Sequence, residues 1–256
     1  MGADGTLGQM TERIAIFGAT SAIAAEVARV YAARGGRLFL VGRDPDKLQR
    51  TCATLGASIV GFESAELTDG ARSQALVDRA HQALGGIDIA VIAHGLLGDQ
   101  LESERSLDEA RRILEVNFLS VVGLVIPLAN YFEARGAGHL VVLGSVAGDR
   151  GRPRNYTYGT AKGAVAIYLQ GVRARLGGTG VGVHLLKLGP VDTPMTVDHK
   201  KTLLFARPPS VAVAIVRAVD AGRAVAYVPW FWWFIMAIVR LIPDPLFRRI
   251  RALQAR

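Results

Sequence analysis

Cysteine is nearly absent from this chain of 256 residues, and Cys52 is the single one. One cysteine excludes an intrachain disulfide, which fits a reducing compartment. Because Cys52 falls in a predicted helix, we expect it to be a small packing residue rather than a nucleophile. Any redox chemistry of this protein therefore requires a bound cofactor.

The first residues lack the apolar segment of a secretory signal. We expect residues 1–12 to be a flexible N-terminus and the protein to be cytoplasmic. Half of the chain is hydrophobic, which excludes disorder for most of it and allows a large core.

Acidic residues are too few to balance the basic ones, and the formal net charge is +8. No nucleic-acid-binding motif accompanies this excess, so we predict no nucleic-acid partner. Residues 240–256 contain five arginines and one acid, so that half of the net charge lies in a short C-terminal tail.

Short apolar runs alternate with helical patterns along the chain, without a Pro/Ser-rich linker or an internal repeat. The runs are RIAIFGA, RLFLVG, SIVGFE, IDIAVIAHG, HLVVLGS, GVGVHLLKLG and AVAYVP. Near-continuous apolar strands separated by helices of ten or more residues are typical of βαβ units in a parallel sheet. We therefore predict an α/β fold over residues 13–229, a single doubly wound, Rossmann-like sheet of seven parallel strands with helices on both faces. One long helix is expected from about Ser106 to Arg135.

Three residues in the second half of the chain indicate carbonyl chemistry. Tyr158 and Lys162 stand four positions apart in YGTAK, and Ser145 ends the apolar run HLVVLGS. In a helix over residues 157–176 the two side chains are neighbours, so that the ammonium is expected to lower the pKa of the phenol. Tyr158 is then a proton donor to a carbonyl under reduction, and Ser145 hydrogen-bonds the substrate oxygen.

Each of these residues taken singly has an ordinary structural explanation. A serine after a strand commonly forms a turn, and a tyrosine and a lysine on a helix are commonly a half-buried ring and a solvated charge. The signals for nucleotide binding elsewhere in the sequence favour the catalytic interpretation.

The first strand leads through GATSAIA, residues 18–24, directly into a helix. In a dinucleotide-binding fold such a turn places helix N-terminal amides against the pyrophosphate. Only the first glycine of the GxxxGxG pattern is kept, and an ordinary strand-to-helix turn is the alternative. The residues predicted here to bind the cofactor are Gly18, Thr20, Ser21 and Ile23.

The second strand ends in VGRD, where Gly42 occupies the position at which an acid would bind the adenosine 2′-hydroxyl of NAD. A small residue followed by Arg43 accommodates a 2′-phosphate instead. We therefore predict NADP(H) as the preferred cofactor and NAD(H) as the alternative. An Arg43 that is solvated, or paired with Asp44 or Asp46, is the structural alternative.

Further cofactor contacts are expected where later strands end. Glu66 and Leu67 follow the third strand, at the place of an adenine contact, and the fourth strand ends in AHG. From this last motif we predict Ala93 and Gly95 as cofactor-binding residues. His94 is expected to be a loop residue beside the cofactor rather than a catalytic base. No metal site is predicted.

Over residues 13–229 the sequence resembles the short-chain dehydrogenase/reductase family. The resemblance implies that Ser145, Tyr158, Lys162 and, in LEVNF, Asn117 are catalytic. Tyr158 would be the general acid in reduction, and Lys162 would lower its pKa and hold the nicotinamide ribose. Asn117 would hold a water in a proton relay to Lys162.

The resemblance extends to GPVDTPM, in which Val191 and Thr193 match positions that contact the nicotinamide. Ala22 and Ala24 depart from the glycines usual in the family, and these departures affect the nucleotide-binding turn and leave the catalytic set intact. Members of the family are usually dimers or tetramers, which implies a homo-oligomer.

Within the family, GATSAIA, HGLLGD, SVAGDRGR and an aromatic, basic C-terminus resemble one subgroup, the reductase component of decaprenylphosphoryl-ribose 2-epimerase. Such enzymes reduce a 2-keto-pentose carried on a polyprenyl phosphate to the arabinose epimer, a cell-wall arabinan precursor. A partner flavoprotein oxidase first produces the ketone. The resemblance implies an NAD(P)H-dependent carbonyl reductase with this hydrophobic substrate.

The C-terminal segment, residues 230–256, offers separate evidence about the substrate. Five aromatic residues stand together at residues 230–234, and the uncharged stretch 224–239 is shorter than the roughly 20 residues required to span a bilayer. Aromatic rings prefer the membrane interface and arginines suit anionic head groups, with Pro243 and Pro245 dividing two short helices. We predict an amphipathic, aromatic helical appendage that associates peripherally with the inner membrane. A segment packed as a lid over the active site, or in an oligomer interface, is the alternative.

Two other functions are compatible with these patterns. A reductase of a lipid, a steroid or a small soluble ketone would use the aromatic tail as a lid. A non-catalytic nucleotide-binding module would bind the cofactor without chemistry, although the complete Ser, Tyr, Lys and Asn set argues against it.

Overall fold

Residues 11–197 and 201–250, which the computed structural model describes, build one sheet of seven strands. The strands are β1 (Arg13–Phe17), β2 (Arg37–Gly42), β3 (Ile59–Ser64), β4 (Ile89–Ile92), β5 (Gly138–Ser145), β6 (Val181–Leu188) and β7 (Val225–Val228). Their order across the sheet is β3-β2-β1-β4-β5-β6-β7, and every adjacent pair is parallel. The predicted parallel sheet is confirmed.

The strand order reverses between β1 and β4. From β1 the chain moves outward to β2 and β3, then crosses to β4 on the other side of β1 and continues to β7. Sheets of this kind bind ligands outside the carboxyl ends of their strands at the reversal. The fold therefore places a binding cleft beside the residues that follow β1 and β4.

Helices cover both faces of the sheet. They are α1 (Ala22–Ala33), α2 (Pro45–Leu55), α3 (Ser73–Leu84), α4 (Gln100–Ser103), α5 (Leu107–Leu114), α6 (Ser120–Arg135), α7 (Tyr156–Arg175), α8 (Pro208–Asp220), α9 (Trp232–Leu241) and α10 (Asp244–Phe247). Helices α1, α2 and α8 pack on one face, and α3, α6 and α7 on the other. Cys52 is buried in α2, in agreement with the packing role predicted for it.

Strand β1 shows why its sequence is apolar without interruption. Successive side chains of a strand point to opposite faces. Ile14 and Ile16 join one core, Ala15 and Phe17 join the other, and all four are fully buried. A polar residue at any of these positions would face a core instead of solvent.

The long helix predicted from Ser106 to Arg135 is divided by one wide π-helical turn, Glu115–Leu119, between α5 and α6. By length and composition alone, Leu107–Arg135 is a helix long and apolar enough to cross a bilayer, and half of its apolar window is buried. Leu124 and Leu128 are fully buried against the sheet. Their packing identifies it as a core helix of the domain.

The C-terminal segment forms the two short helices α9 and α10, and Pro243 is the N-cap residue of α10. The inner face of α9, formed by Trp232, Met236 and Val239, is buried in a third cluster with Val146 and Phe247. On the opposite side lies the outer face, which consists of Trp230, Trp233, Phe234, Ile238 and Leu241, all exposed. The predicted helical appendage is confirmed. Residues 1–10 of the predicted flexible N-terminus and residues 251–256 of the tail lie outside the described residues.

Candidate active site

A cleft of about 940 Å³ opens at the carboxyl ends of the strands, where the sheet order reverses. The predicted site residues that line it are Gly18, Thr20, Ser21, Ile23, Arg43, Glu66, Leu67, Ala93, Gly95, Ser145, Tyr158, Lys162, Val191 and Thr193. Residues distant in the sequence thus meet because every strand contributes its carboxyl end to the same edge. Asn117, the remaining predicted residue, is fully buried behind this wall.

Ser145, Tyr158 and Lys162 come together as their spacing predicted. Ser145 is the last residue of β5, and the other two lie one turn apart on α7. The side chains of Ser145 and Tyr158 share a hydrogen bond. The ammonium of Lys162 lies 5.7 Å from the centroid of the Tyr158 ring and donates to the carbonyl of Leu143 at 3.4 Å.

The electrostatics of Tyr158 differ from the prediction. Burial raises the pKa of Tyr158 to about 12, and the hydrogen bond with Ser145 offsets this only in part. Lys162 was expected to lower the pKa of the phenol, but burial disfavours its own charge and lowers the pKa of Lys162 to about 8. In this structure Tyr158 is a neutral phenol at neutral pH, which is the protonation state of a proton donor.

Asn117 lies in the π-helical turn and ties it to the loop after β4. Its amide donates to the carbonyls of Leu96 at 2.7 Å and Ile113 at 2.9 Å, and its oxygen accepts from the Leu96 amide at 3.1 Å. A Cβ on Gly95 would lie 3.0 Å from the Asn117 oxygen and 3.5 Å from the Lys162 nitrogen, so a side chain there would require the Asn117 amide to shift. Asn117 therefore shapes the cleft wall beside Lys162. Its role in a proton relay stays a prediction.

His94 lies beside this wall in the neutral form. Its Nε2 is 2.7 Å from the hydroxyl of Ser120, which itself donates to the carbonyl of Val116. Burial, together with the charge of Lys162, lowers the pKa of His94 to about 3. A base this weak does not serve proton abstraction at neutral pH, in agreement with the loop position predicted for it.

The turn after β1 is built around Gly18, which has a φ of +86°. The amides of Gly18 and Ala19 both donate to the carbonyl of Val41, at 2.8 and 2.9 Å, and this fixes the turn against β2. The hydroxyl of Ser21 then caps α1 by accepting from the amide of Ala24 at 3.1 Å. The result is a helix N-terminus that faces the cleft, the arrangement that binds a pyrophosphate.

The end of β2 packs closely against the turn after β1 at Gly42. A Cβ on Gly42 would lie 2.9 Å from the Thr20 methyl group, so any side chain there would displace Thr20. Arg43 is largely exposed and pairs with Glu66 at 3.7 Å. Asp44 caps α2 and pairs with Lys47, so the described residues show no pairing of Arg43 with Asp44 or Asp46, whereas the alternative of a largely solvated Arg43 agrees with its exposure.

The loop after β6 is held by short-range hydrogen bonds. The Thr196 hydroxyl donates to the carbonyl of Val191 at 2.7 Å, and the amide of Thr193 is 3.2 Å from the same hydroxyl. Val191 also pairs with Ala206 in an isolated bridge. These contacts keep both predicted residues on the cleft wall.

Among the cleft residues that sequence reasoning missed are Trp232, Arg152 and Arg154. Trp232 was predicted to contact a membrane, but its indole packs directly on Gly189, where a Cβ would lie 2.1 Å from its nitrogen. The spacing of Trp232, Met236 and Val239 is that of one buried helix face and was the available signal. The arginines lie in the loop that precedes Tyr158, where charge alone does not distinguish a ligand contact from a solvated side chain.

A parallel sheet with a dinucleotide-sized cleft at its reversal, a glycine turn and a Ser, Tyr and Lys set at one end defines an oxidoreductase that uses a nicotinamide cofactor. A family model described as short chain dehydrogenase matches residues 12–203, and the chain belongs to this family. Members of the family bind NAD(P)(H), and this protein is an NAD(P)-dependent oxidoreductase.

Proteins with similar sequences are also described as oxidoreductases. The chain is 35% identical over 240 residues to an uncharacterized oxidoreductase of Mycobacterium tuberculosis, with 93% of this chain and 96% of the relative covered. It is 33% identical over 243 residues to one of Streptomyces coelicolor, with 92% and 94% covered. Among solved structures, levodione reductase superposes with a TM-score of 0.77 at 22% identity, covering 85% of this chain and 96% of that one, which shows the fold.

The buried ammonium of Lys162 makes stability depend on pH. Its folded pKa of about 8 lies below the ordinary value of 10.5. Between these values the unfolded chain holds a proton that the folded protein has lost, so the free energy of unfolding rises with pH through this window. We expect a gain on the order of 2 kcal/mol between about pH 7 and 9.5 in urea unfolding. Lys162→Met should lack this gain.

Lys201→Met is the matched control, because Lys201 is half exposed. The free energy of unfolding of Lys201→Met should rise with pH as it does in the parent protein. Equal pH slopes for Lys162→Met and the parent would contradict the shifted pKa. The measurement should stay below pH 10, since ionisation of the unfolded phenol of Tyr158 acts in the opposite direction above that value.

Proposed function

We propose that this oxidoreductase is an NAD(P)H-dependent carbonyl reductase whose substrate is a 2-keto-pentose carried on a polyprenyl phosphate, which it reduces to the arabinose epimer at a membrane surface. The observation that carries the proposal is the two-sided C-terminal segment. Its inner face brings Trp232 into the cleft, and its outer face leaves three aromatic rings exposed. One element thus connects the reaction site with an apolar surface.

The chemistry follows from the groups at the end of the cleft. NAD(P)H bound there supplies the hydride. The hydroxyls of Ser145 and Tyr158 hydrogen-bond the ketone oxygen and stabilise the negative charge that develops on it. Tyr158 then transfers its proton to that oxygen, which completes the alcohol. Lys162 stabilises the phenolate that remains.

The outer face has the composition of a membrane-interface surface. Trp230 is 72% exposed, Trp233 50% and Phe234 55%, which is unusual for large aromatic side chains. Arg240, Arg248 and Arg249 are also exposed nearby in the sequence. Aromatic rings and arginines together favour the surface of an anionic bilayer as the occupant of this face.

This position would let the enzyme meet its substrate without extracting the lipid. A polyprenyl chain stays in the bilayer while its phosphorylated sugar reaches into the interface. The ketone requires a prior oxidation of the sugar, so a flavoprotein oxidase at the same membrane is the expected partner.

The test is a variant of the outer face alone, Trp230→Ser combined with Trp233→Ser and Phe234→Ser. Complete removal of residues 230–256 is a poor test, because it would strip the buried inner face from Val146, next to Ser145. We expect the triple variant to lose flotation with anionic liposomes and at least about tenfold of its kcat/KM on a liposome-embedded polyprenylphosphoryl 2-keto-pentose. Reduction of a short-chain, water-soluble analogue should stay within twofold.

Phe62→Ser is the control, because Phe62 is 51% exposed on β3, away from the C-terminal segment. Unchanged flotation of the triple variant would refute the membrane role. The membrane role would also be refuted if the parent protein does not bind liposomes and the triple variant has a different oligomeric mass. That result would assign the outer face to self-association. Efficient turnover of small soluble ketones, with none of the lipid-linked one, would refute the substrate.

We further propose that NADPH is the preferred cofactor, because Gly42 places no acid at the end of β2 and Arg43 is exposed at the cleft. Arg43→Ala should raise the KM for NADPH about tenfold, the size of a lost charge-assisted contact, and the KM for NADH less than twofold. Initial rates with both cofactors measure this. Arg50→Ala, which alters an exposed arginine of α2 outside the cleft, should change neither value. Equal effects of Arg43→Ala on both cofactors would exclude the 2′-phosphate contact.

A further inference from the structure

Two arginines of the cleft are not used by the reaction described above. Arg152 and Arg154 lie in the loop between β5 and α7, and both line the cleft with Ser145 and Tyr158. The loop thus carries positive charge to the part of the cleft where the ketone is reduced.

One nitrogen of the Arg152 guanidinium has no hydrogen-bond partner. Its Nε is buried without a partner in the described part of the chain. Arg150, two positions earlier, shows the contrast. Its guanidinium binds the carbonyl of Val239 at 2.7 Å and the carboxylate of Asp244 at 2.6 Å, and it stacks on the ring of Phe247. Arg150 therefore holds the tail in place, and Arg152 does not have this structural role.

The acid nearest to Arg152 in the sequence, Asp149, is engaged by other residues. Asp149 is already bound by the ammonium of Lys187 and by the hydroxyl of Tyr227. Burial lowers the pKa of Arg152, the charge of Arg154 adds to this effect, and Asp149 offsets it only in part. Two like charges thus line the same cleft, the partly buried Arg152 and the exposed Arg154, and a ligand anion there would relieve the repulsion between them.

We propose that Arg152 and Arg154 bind a phosphoryl group of the substrate while its carbonyl faces Ser145 and Tyr158. A phosphoryl group has several oxygens around one centre and accepts hydrogen bonds from two guanidinium groups at once. The amino-terminal end of α7, which begins at Tyr156, adds positive potential on the same side. The proposal rests on the proposed function and deepens it, since it assigns the residues that recognise the charged part of a phosphorylated ketone.

The test measures binding without turnover, so that it does not depend on the reductase activity. Holoenzyme saturated with NADP⁺ is titrated calorimetrically with farnesyl phosphate, with farnesol and with inorganic phosphate. Arg152→Met should weaken farnesyl phosphate at least about tenfold, the size of a lost charge-assisted pair, and leave farnesol within twofold. Arg217→Met is the control, because Arg217 is exposed on α8 outside the cleft, and it should behave like the parent protein.

The outcomes separate the sources of the phosphoryl group. Tighter binding of farnesyl phosphate than of inorganic phosphate, lost in Arg152→Met, supports a lipid-linked ester. Equal binding of both phosphates, lost in the same variant, supports the phosphoryl site with a soluble phosphate ester as its ligand. Unchanged affinity of Arg152→Met for both phosphates overturns the proposal.

Two further variants guard against misfolding. Arg154→Met removes the second guanidinium, and Arg152→Lys keeps the charge but not the planar fork. Both should weaken farnesyl phosphate less than Arg152→Met does, with thermal midpoints close to that of the parent. A protein that binds farnesyl phosphate through Arg152 but reduces no lipid-linked ketone would refute the proposed function and leave the phosphoryl site standing.

Discussion

Tyr158→Phe is expected to abolish turnover, with kcat lowered by roughly 10³-fold or more, while cofactor affinity changes less than about twofold. The substitution removes one hydroxyl and keeps the ring that packs in the cleft. That hydroxyl shares a hydrogen bond with Ser145, and its pKa of about 12 keeps it protonated at the pH of the reaction. Without it the ketone oxygen loses both a hydrogen-bond donor and its proton source. Single-turnover oxidation of NADPH and a fluorescence titration of the cofactor separate the two effects.

Tyr156→Phe is the matched control. Tyr156 lies two residues earlier at the start of α7, is 42% exposed, lines a shallow depression with Glu104, Arg152 and Pro153, and does not line the cleft. The same chemical change there should leave kcat within twofold. Near-normal turnover of Tyr158→Phe, or an equal loss in both variants, would show that Tyr158 is not the proton donor.

The fold was predictable because the same local pattern, an apolar strand followed by an amphipathic helix, repeats along the chain. Buried parallel strands need apolar residues on both faces, so runs such as that of β1 stand out from the amphipathic helices between them. The seven strands and the helices on both faces were obtained from this alternation alone. The wide turn around Asn117 was not, because no residue pattern distinguishes a π-helical turn from the α-helix on either side of it.

The sequence predicted which catalytic side chains meet in the site, but it did not predict their pKa values. Motif positions identify Ser145, Tyr158 and Lys162, since spacing along a strand and a helix determines which side chains meet. The pKa of Tyr158 depends on how deeply the assembled fold buries the phenol. The depth of burial of one side chain cannot be derived from the sequence pattern around it. For the same reason Trp232 and Arg152 were missed, because their direction into the cleft follows from contacts with Gly189 and the loop after β5.

Gly18→Ala is expected to have the largest effect among substitutions that do not touch the reacting groups. At its φ of +86° a side chain is strained, and the new methyl carbon would lie 2.5 Å from the backbone nitrogen of His94. Backbone strain and overpacking each cost about 1–3 kcal/mol, so the free energy of unfolding should fall by roughly 3 kcal/mol or more. His94 is in the loop after β4, next to Ala93 and Gly95 of the cleft, so cofactor affinity should also fall at least about tenfold. Urea unfolding and a cofactor titration measure the two effects.

Gly35→Ala is the control that separates the effect of backbone strain from the effect of the close contact between residue 18 and His94. Gly35 has nearly the same backbone conformation, with a φ of +81°, but nothing lies within 4 Å of a Cβ built there, and it is outside the cleft. Alanine at this position should therefore cost only the strain of a left-handed residue, about 1–2 kcal/mol, with cofactor affinity unchanged. Equal destabilisation by the two variants would mean that the contact between Gly18 and His94 is not what the turn depends on. An unchanged cofactor affinity in Gly18→Ala would remove this turn from the nucleotide site, because a pyrophosphate held by its amides cannot stay in place when the turn moves.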